Sequence, residues 1–206
     1  MKPRHWDTLL YELAEPQSGY FTAAQARAAG LHQVRLVQLE RSEDLERVSR
    51  GVYRLTRYPI SPLGQYMEAA LWPQVRRPGA QGIVSHESAL AVYGISDVSP
   101  AKVHITLPAT LRIRRKPPEF LALHYADLEP QDVQQIEGVP VTTAERAIRD
   151  VHASHIGPAL VAQAIADGRR TGHLTFDQAR RLKRELIGTP TRPRKTLSSK
   201  RHKTRP

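Results

Sequence analysis

The stretch from Gln33 to Arg54 concentrates side chains suited to reading and holding a nucleic acid. Gln33, Val34, Arg35, Val37, Gln38 and Arg41 come first. Arg47, Arg50 and Arg54 follow in "LERVSRGVYRL", residues 45–55. A glutamine amide can pair with adenine N6 and N7, a guanidinium with guanine O6 and N7, and valine methyls can touch the thymine methyl. Arginines on a neighbouring ribbon can reach phosphate or the minor groove. A plainer reading competes. Exposed Arg and Gln on a helix often just face solvent, and Arg47 or Arg50 could pair with Glu43, Asp44 or Glu46.

Catalytic patterns are sparse. "SHES" (85–88) suggests Ser/His chemistry, but its residue types also suit a helix start, with Ser85 as N-cap and Glu87 at the positive helix end. His152 and His155 lie one helical turn apart, which permits a metal pair, yet no third ligand accompanies them and a surface pair fits better. Glu145/Arg149 and Arg146/Asp150 read as i, i+4 ion pairs on a helix. No Walker loop or Rossmann fingerprint occurs, nor the Gly-Ser with an Asp pair that a nucleotidyltransferase needs. Residues 59–188 contain no Glu-x-Lys or Asp-x-Lys of the restriction-nuclease type. The expectation is a binding protein, not an enzyme, with no cofactor.

The elements that must position Gln33–Arg54 follow from periodicity. "HWDTLLYELAE" (5–15) has Trp6, Leu9, Leu10 and Leu13 at helical spacing and is stopped by Pro16 and Gly19. "YFTAAQARAAG" (20–30) opens a second helix, with Thr22 and Gln25 as a capping box and Gly30 closing it. A third helix spans about Gln33 to Ser42 with Leu36 and Leu39 on its inner face, so Val34, Val37, Gln38 and Arg41 face outward. "LERVSRGVYRL" then reads as strand, Gly-containing turn, strand. This order predicts a winged helix-turn-helix over residues 1–58. In that motif the third helix enters the major groove, and the arginine-tipped hairpin lies against the polyanion.

After the Pro- and Gly-containing linker "RYPISPLG" (57–64), residues 63–188 read as a second, mixed α and β domain. Helices are expected at 63–72, 84–94 (ended by Gly94), 144–154, 158–168 and 175–188. Strands are expected at 102–108 and 119–127, and a hairpin or bent strand at 133–143. Thr142 and Glu145 form a further capping box. The fold class is α+β, with residues 189–206 a disordered basic tail.

The net charge is +11, but its location matters more than its sum. Residues 1–58 carry a net +2, 59–150 a net −1, 151–188 a net +3 and 189–206 a net +7. Most of the excess is therefore tail, where a polycation adds non-specific affinity for nucleic acid by counterion release. "RIRRKPP" (112–118) and the arginines and lysine of 180–184 are further basic features, suited to DNA, to RNA or simply to solvent. With no cysteine, disulfides and thiolate metal sites are excluded. No segment approaches the roughly 20 apolar residues of a membrane span, and the N-terminus lacks an apolar signal-peptide core. A cytoplasmic location is expected.

Three segments together resemble the AbiEi family of antitoxins from type IV toxin–antitoxin systems. They are "GYFTAAQARAAG" running on to the Arg50-Gly51-Val52-Tyr53-Arg54 wing, "VSHESALAVYGISDVSPAKVHITLP" (84–108), and "GVPVTTAERAIRDV" (138–151). One departure is that Glu43 and Asp44 stand where the family often has a basic residue and Gly before the wing. The resemblance implies a winged helix that binds inverted repeats in its own promoter and represses it. It also implies a C-terminal domain that opposes a nucleotidyltransferase-like toxin without a stable complex. The alternative is a stand-alone winged-helix regulator, or a protein- or RNA-binding module.

Overall fold

A computed structural model describes residues 5–75, 77–155 and 157–188. The basic tail 189–206 lies outside the described residues. The N-terminal part runs α1 (His5–Ala14), β1 (Tyr20–Thr22), α2 (Ala23–Ala28), α3 (Gln33–Arg41), β2 (Leu45–Ser49) and β3 (Val52–Leu55). The strands form one antiparallel sheet in the order β1-β3-β2. This is the winged helix-turn-helix order, with the hairpin β2–β3 as the wing.

β1 is an addition to the expected elements. Tyr20, Phe21 and Thr22 are extended and pair with Arg54, Tyr53 and Val52, and the helix begins only after them. Thr22 serves both elements. It ends the strand, and its hydroxyl accepts from Gln25 N (3.1 Å) while Gln25 Oε1 accepts from Thr22 N (2.7 Å). All three strand residues are buried because this sheet has a core on each face. Leu10, Phe21, Leu36, Leu39 and Tyr53 form the core beneath the three helices, with the Phe21 and Tyr53 rings stacked 5.9 Å apart. Tyr20 and Val52 belong to the second core.

That second core lies under a five-stranded mixed sheet. β4 (Ile83–Val84), β5 (Val103–Leu107), β6 (Leu121–Tyr125), β7 (Val133–Ile136) and β8 (Val139–Thr142) are ordered β6-β5-β4-β8-β7. α4 (Gly64–Leu71) is nearly all buried and contacts β1 as well as β4, β5 and β8. α5 (His86–Tyr93), α6 (Ala144–Ala153), α7 (Pro158–Arg170) and α8 (Phe176–Leu182) complete the fold, and a π-helical turn, Lys183–Ile187, extends α8. The basic stretch 112–118 is a loop. The cap of α6 sits one residue later than the Thr142/Glu145 box expected. Thr143 is the N-cap and accepts from Arg146 N (3.4 Å), because Thr142 is consumed as the last residue of β8.

The two halves pack directly. The β7–β8 turn uses Glu137 (φ 47°) and Gly138 (φ 80°), the backbone of a type I′ hairpin. A Cβ at Gly138 would run into the Pro16 carbonyl. Ser18 Oγ donates to the Glu137 carbonyl, and Ser61 Oγ donates to Glu137 Oε2 at 3.0 Å. The wing turn is held as well, since Gly51 O accepts from Ala23 N (2.9 Å) and a Cβ on Gly51 (φ 83°) would meet Val75 at 2.8 Å.

Candidate nucleic-acid interface

Leu36 and Leu39 are fully buried and fix the roll of α3. The opposite stripe, Val34, Val37, Gln38 and Arg41, is exposed at i, i+3, i+4, i+7 spacing, with Gln33 exposed at the helix start. Val34 is 69% exposed. A valine left in water on a helix that has an apolar inner face of its own is suited to a methyl partner. Arg35, expected among the residues that read or hold nucleic acid, is engaged within the protein. Its guanidinium lies 4.3 Å over the Trp6 ring, and its Nη1 donates to Gln38 Oε1 at 3.0 Å. It therefore ties α3 to α1 and orients Gln38, whose amide nitrogen is left to donate outward.

On the wing, Arg47 pairs across from Tyr53, and an irregularity in register separates it from Ser49. Arg50 and Gly51 make the turn. Arg47 and Arg50 are both exposed. Arg54 departs from the expectation that it faces a polyanion. It stands opposite Glu46 in the ladder, binds Glu46 Oε2 through Nη2 at 2.8 Å, and donates from Nη1 to the Tyr58 carbonyl at 3.2 Å. Its side chain is only 11% exposed. Its work is to hold the wing and the following loop, and it neutralises Glu46. Asp44 is likewise occupied, accepting from Ser42 Oγ (2.8 Å) and facing Arg57 (3.5 Å).

Helix and wing meet in a cleft of about 310 Å³. Arg27, Arg47, Arg50 and Gln33 line it, with Gly51 and Val75 at its edge. Arg27 was not singled out by its sequence. It sits in the last turn of α2, and only the packing of α2 on α3 and the wing brings it beside the other two arginines. The signal that could have found it is its position at the C-terminal end of the first helix of a helix-turn-helix. Three guanidiniums around one cleft, with no carboxylate lining it, make a place where phosphate is favoured.

A second constellation lies in the other half. Ser85 does occupy the N-cap position of α5, but its hydroxyl makes no cap bond. It accepts from Thr106 Oγ1 (2.8 Å) and lies 2.9 Å from His86 Nδ1. His86 has φ 52°, is buried, and stacks on His124 with ring centres 3.5 Å apart. His104 Nδ1 is 3.0 Å from His124 Nε2 and 3.3 Å from Glu87 Oε2. Burial, reinforced by His124 and His104, pushes His86 down to about 3. Burial also lowers His104 and His124, against the opposing pull of Glu87. All three imidazoles are therefore neutral at pH 7. Among the described residues no group of three or more His, Asp or Glu is arranged to hold a metal. His152 and His155 are both exposed. The ion pairs Glu145–Arg149 (3.1 Å) and Arg146–Asp150 (2.9 Å) form as expected.

Among the described residues no helix is long and apolar enough to cross a membrane. No curated protein matches the chain. One solved structure, the crystal structure of RV2827C protein from Mycobacterium tuberculosis, aligns over 90% of this chain and 73% of that one, at 16% identity and a TM-score of 0.48. Residues 9–56 match the family model AbiEi_4, described as "Transcriptional regulator, AbiEi antitoxin". Over the segment that builds the helix and wing, the chain is therefore similar to the AbiEi antitoxin family of transcriptional regulators.

Proposed function

We propose that this chain is a DNA-binding transcriptional repressor of its own promoter, and the antitoxin of a type IV toxin–antitoxin pair. α3 reads base edges in the major groove through Val34, Val37, Gln38 and Arg41. Arg27, Arg47 and Arg50 grip the adjoining backbone. The observation that carries the reading is the convergence of those three arginines beside the exposed stripe of α3. Within the acidic junction, Asp44 faces Arg57 and the neighbouring Glu46 is paired with Arg54, while Glu43 has no ion-pair partner among the described residues. The protein acts by binding and not by catalysis. In the Ser85–His86 constellation, the Ser85 hydroxyl is bonded to Thr106 and the His86 ring is covered by His124.

In a gel-shift titration, the duplex upstream of the gene, containing inverted repeats, should bind in preference to a scrambled duplex of equal length. A reporter driven by that promoter should be silenced by the full chain. Equal retention of both duplexes would overturn the regulatory reading. The antitoxin role is tested separately: co-expression of the full chain should restore growth to cells expressing the neighbouring nucleotidyltransferase-like toxin. Continued arrest would remove that role and leave the promoter binding standing.

A further inference from the structure

α7 and α8 lie side by side and leave an open groove of about 610 Å³ between their outer faces. α7 contributes Ala162 and Ala166, whose small side chains give the groove its depth, above the buried Ile165. α8 and its π-helical extension contribute Phe176, Ala179 and Ile187. Phe176 is 60% exposed and Ile187 37%, two apolar posts at opposite ends of the second helix. They are about 16 Å apart, the rise of three helical turns. Local π geometry is rare in helices and recurs at functional sites.

The rim is cationic. Arg169, Arg170, Arg180 and Lys183 line the groove. Two of the three nearby carboxylates are already bonded, one of them to the rim's own Arg170. Asp167 takes Arg170 and the Ser96 amide, and Glu185 takes Arg149. Asp177, at the start of α8, is the third. Arg169 lies 4.6 Å over the Phe176 ring, and among the described residues it, Arg180 and Lys183 pair with no carboxylate. Apolar floor and a rim with three unpaired cations together define the complement: a helix with an apolar stripe and acidic flanks.

We infer that the α7–α8 groove is a docking site for an acidic amphipathic helix of a partner protein. Other occupants fit less well. A second copy meeting this face about a two-fold axis would set cation against cation. The chain's own residues 189–206 carry seven basic residues and no acidic one, so they repel the same rim. A nucleic acid would satisfy the cations but leave the aliphatic floor without a partner.

The test uses the full chain and a displayed library of random 16-residue peptides, with a Phe176→Asp/Ile187→Asp variant for counter-selection. Both side chains are exposed, and matching circular dichroism and melting curves establish that the variant folds. Peptides enriched on the wild type should carry Glu or Asp flanking Leu, Ile or Phe at i, i+3/4, i+7 spacing. They should bind the variant at least tenfold more weakly, and an Arg180→Glu/Lys183→Glu variant should prefer versions of the peptides with Lys in place of the acids. Promoter binding should be the same in wild type and both variants, which separates this site from the helix–wing surface. No enrichment, or enrichment of a pattern without acids, overturns the inference. So does a single-stranded RNA probe that binds the wild type and is lost with Phe176→Asp/Ile187→Asp, which would assign the groove to nucleic acid.

Discussion

Replacing Arg27, Arg47 and Arg50 together by alanine is expected to abolish detectable promoter binding at physiological salt. The three side chains surround one cleft, Arg47 meets Tyr53 in the ladder through its backbone, and among the described residues none of the three guanidiniums is paired with a carboxylate, so truncating them leaves the fold's ladder and ion pairs intact. Each phosphate contact removed lowers the slope of log Kobs against log[salt] by about 0.9. The triple variant should therefore show a slope smaller by about 3, with affinity lost for promoter and scrambled duplex alike. Arg54→Ala makes the contrast. Its guanidinium serves Glu46 and the Tyr58 carbonyl, so it should lower the melting temperature more than the salt slope. A salt slope that is unchanged in the triple variant would place the backbone contacts elsewhere.

The second large effect is on stability. His86, His104 and His124 are all held neutral by burial, His86 down to about 3. In the unfolded chain each imidazole titrates near 6.5. Below that pH the unfolded state binds protons that the folded state refuses, so stability falls as pH drops, until the folded groups also charge. For His86 that window runs from about 6.5 down to about 3. Each such histidine steepens the fall by up to about 1.4 kcal/mol per pH unit. Arg146 adds to the cost of charging His86, whereas Glu87 favours charging His104 and His124. Denaturant unfolding followed from pH 8 to pH 4 should give a plateau above pH 7 and a steep decline below. His86→Asn keeps a residue that tolerates positive φ but removes the titration, so it should flatten the acid limb by about one proton. An acid limb equally steep in this variant would show that His86 is charged in the native state.

The parts of this fold legible from sequence were those whose cause is local. The Thr22–Gln25 box, the Leu36 and Leu39 spacing and the Gly51 turn each carry their reason within a few residues. In sequence, Tyr20–Thr22 resembles the opening of a helix because Thr22 is also that helix's cap, and the pairing that makes these residues a strand comes from residues 52–54. Arg54 was hidden in the same way. Its partner Glu46 is eight residues away and becomes adjacent only through the wing register. Arg35 needed Trp6 from α1, and Arg27 needed the wing. The three histidines are 18 and 20 residues apart in sequence and meet because β5 and β6 pair in parallel, Thr106 against His124. Ser85 stood at the position expected, but its hydroxyl was claimed by a strand the local sequence does not mention.

The central claim is that α3 reads bases, and competition binding at 150 mM salt tests it most directly. Promoter duplex is titrated against scrambled duplex, with wild-type protein and with Gln38→Ala/Arg41→Ala. Specific interfaces favour their site by roughly 10³-fold or more, and each lost base contact costs about 1–3 kcal/mol of discrimination. The wild type should therefore show that preference, and the double variant should lose at least tenfold of it while binding scrambled duplex about as before. A wild-type ratio near one, or a double variant as selective as the wild type, would contradict the account.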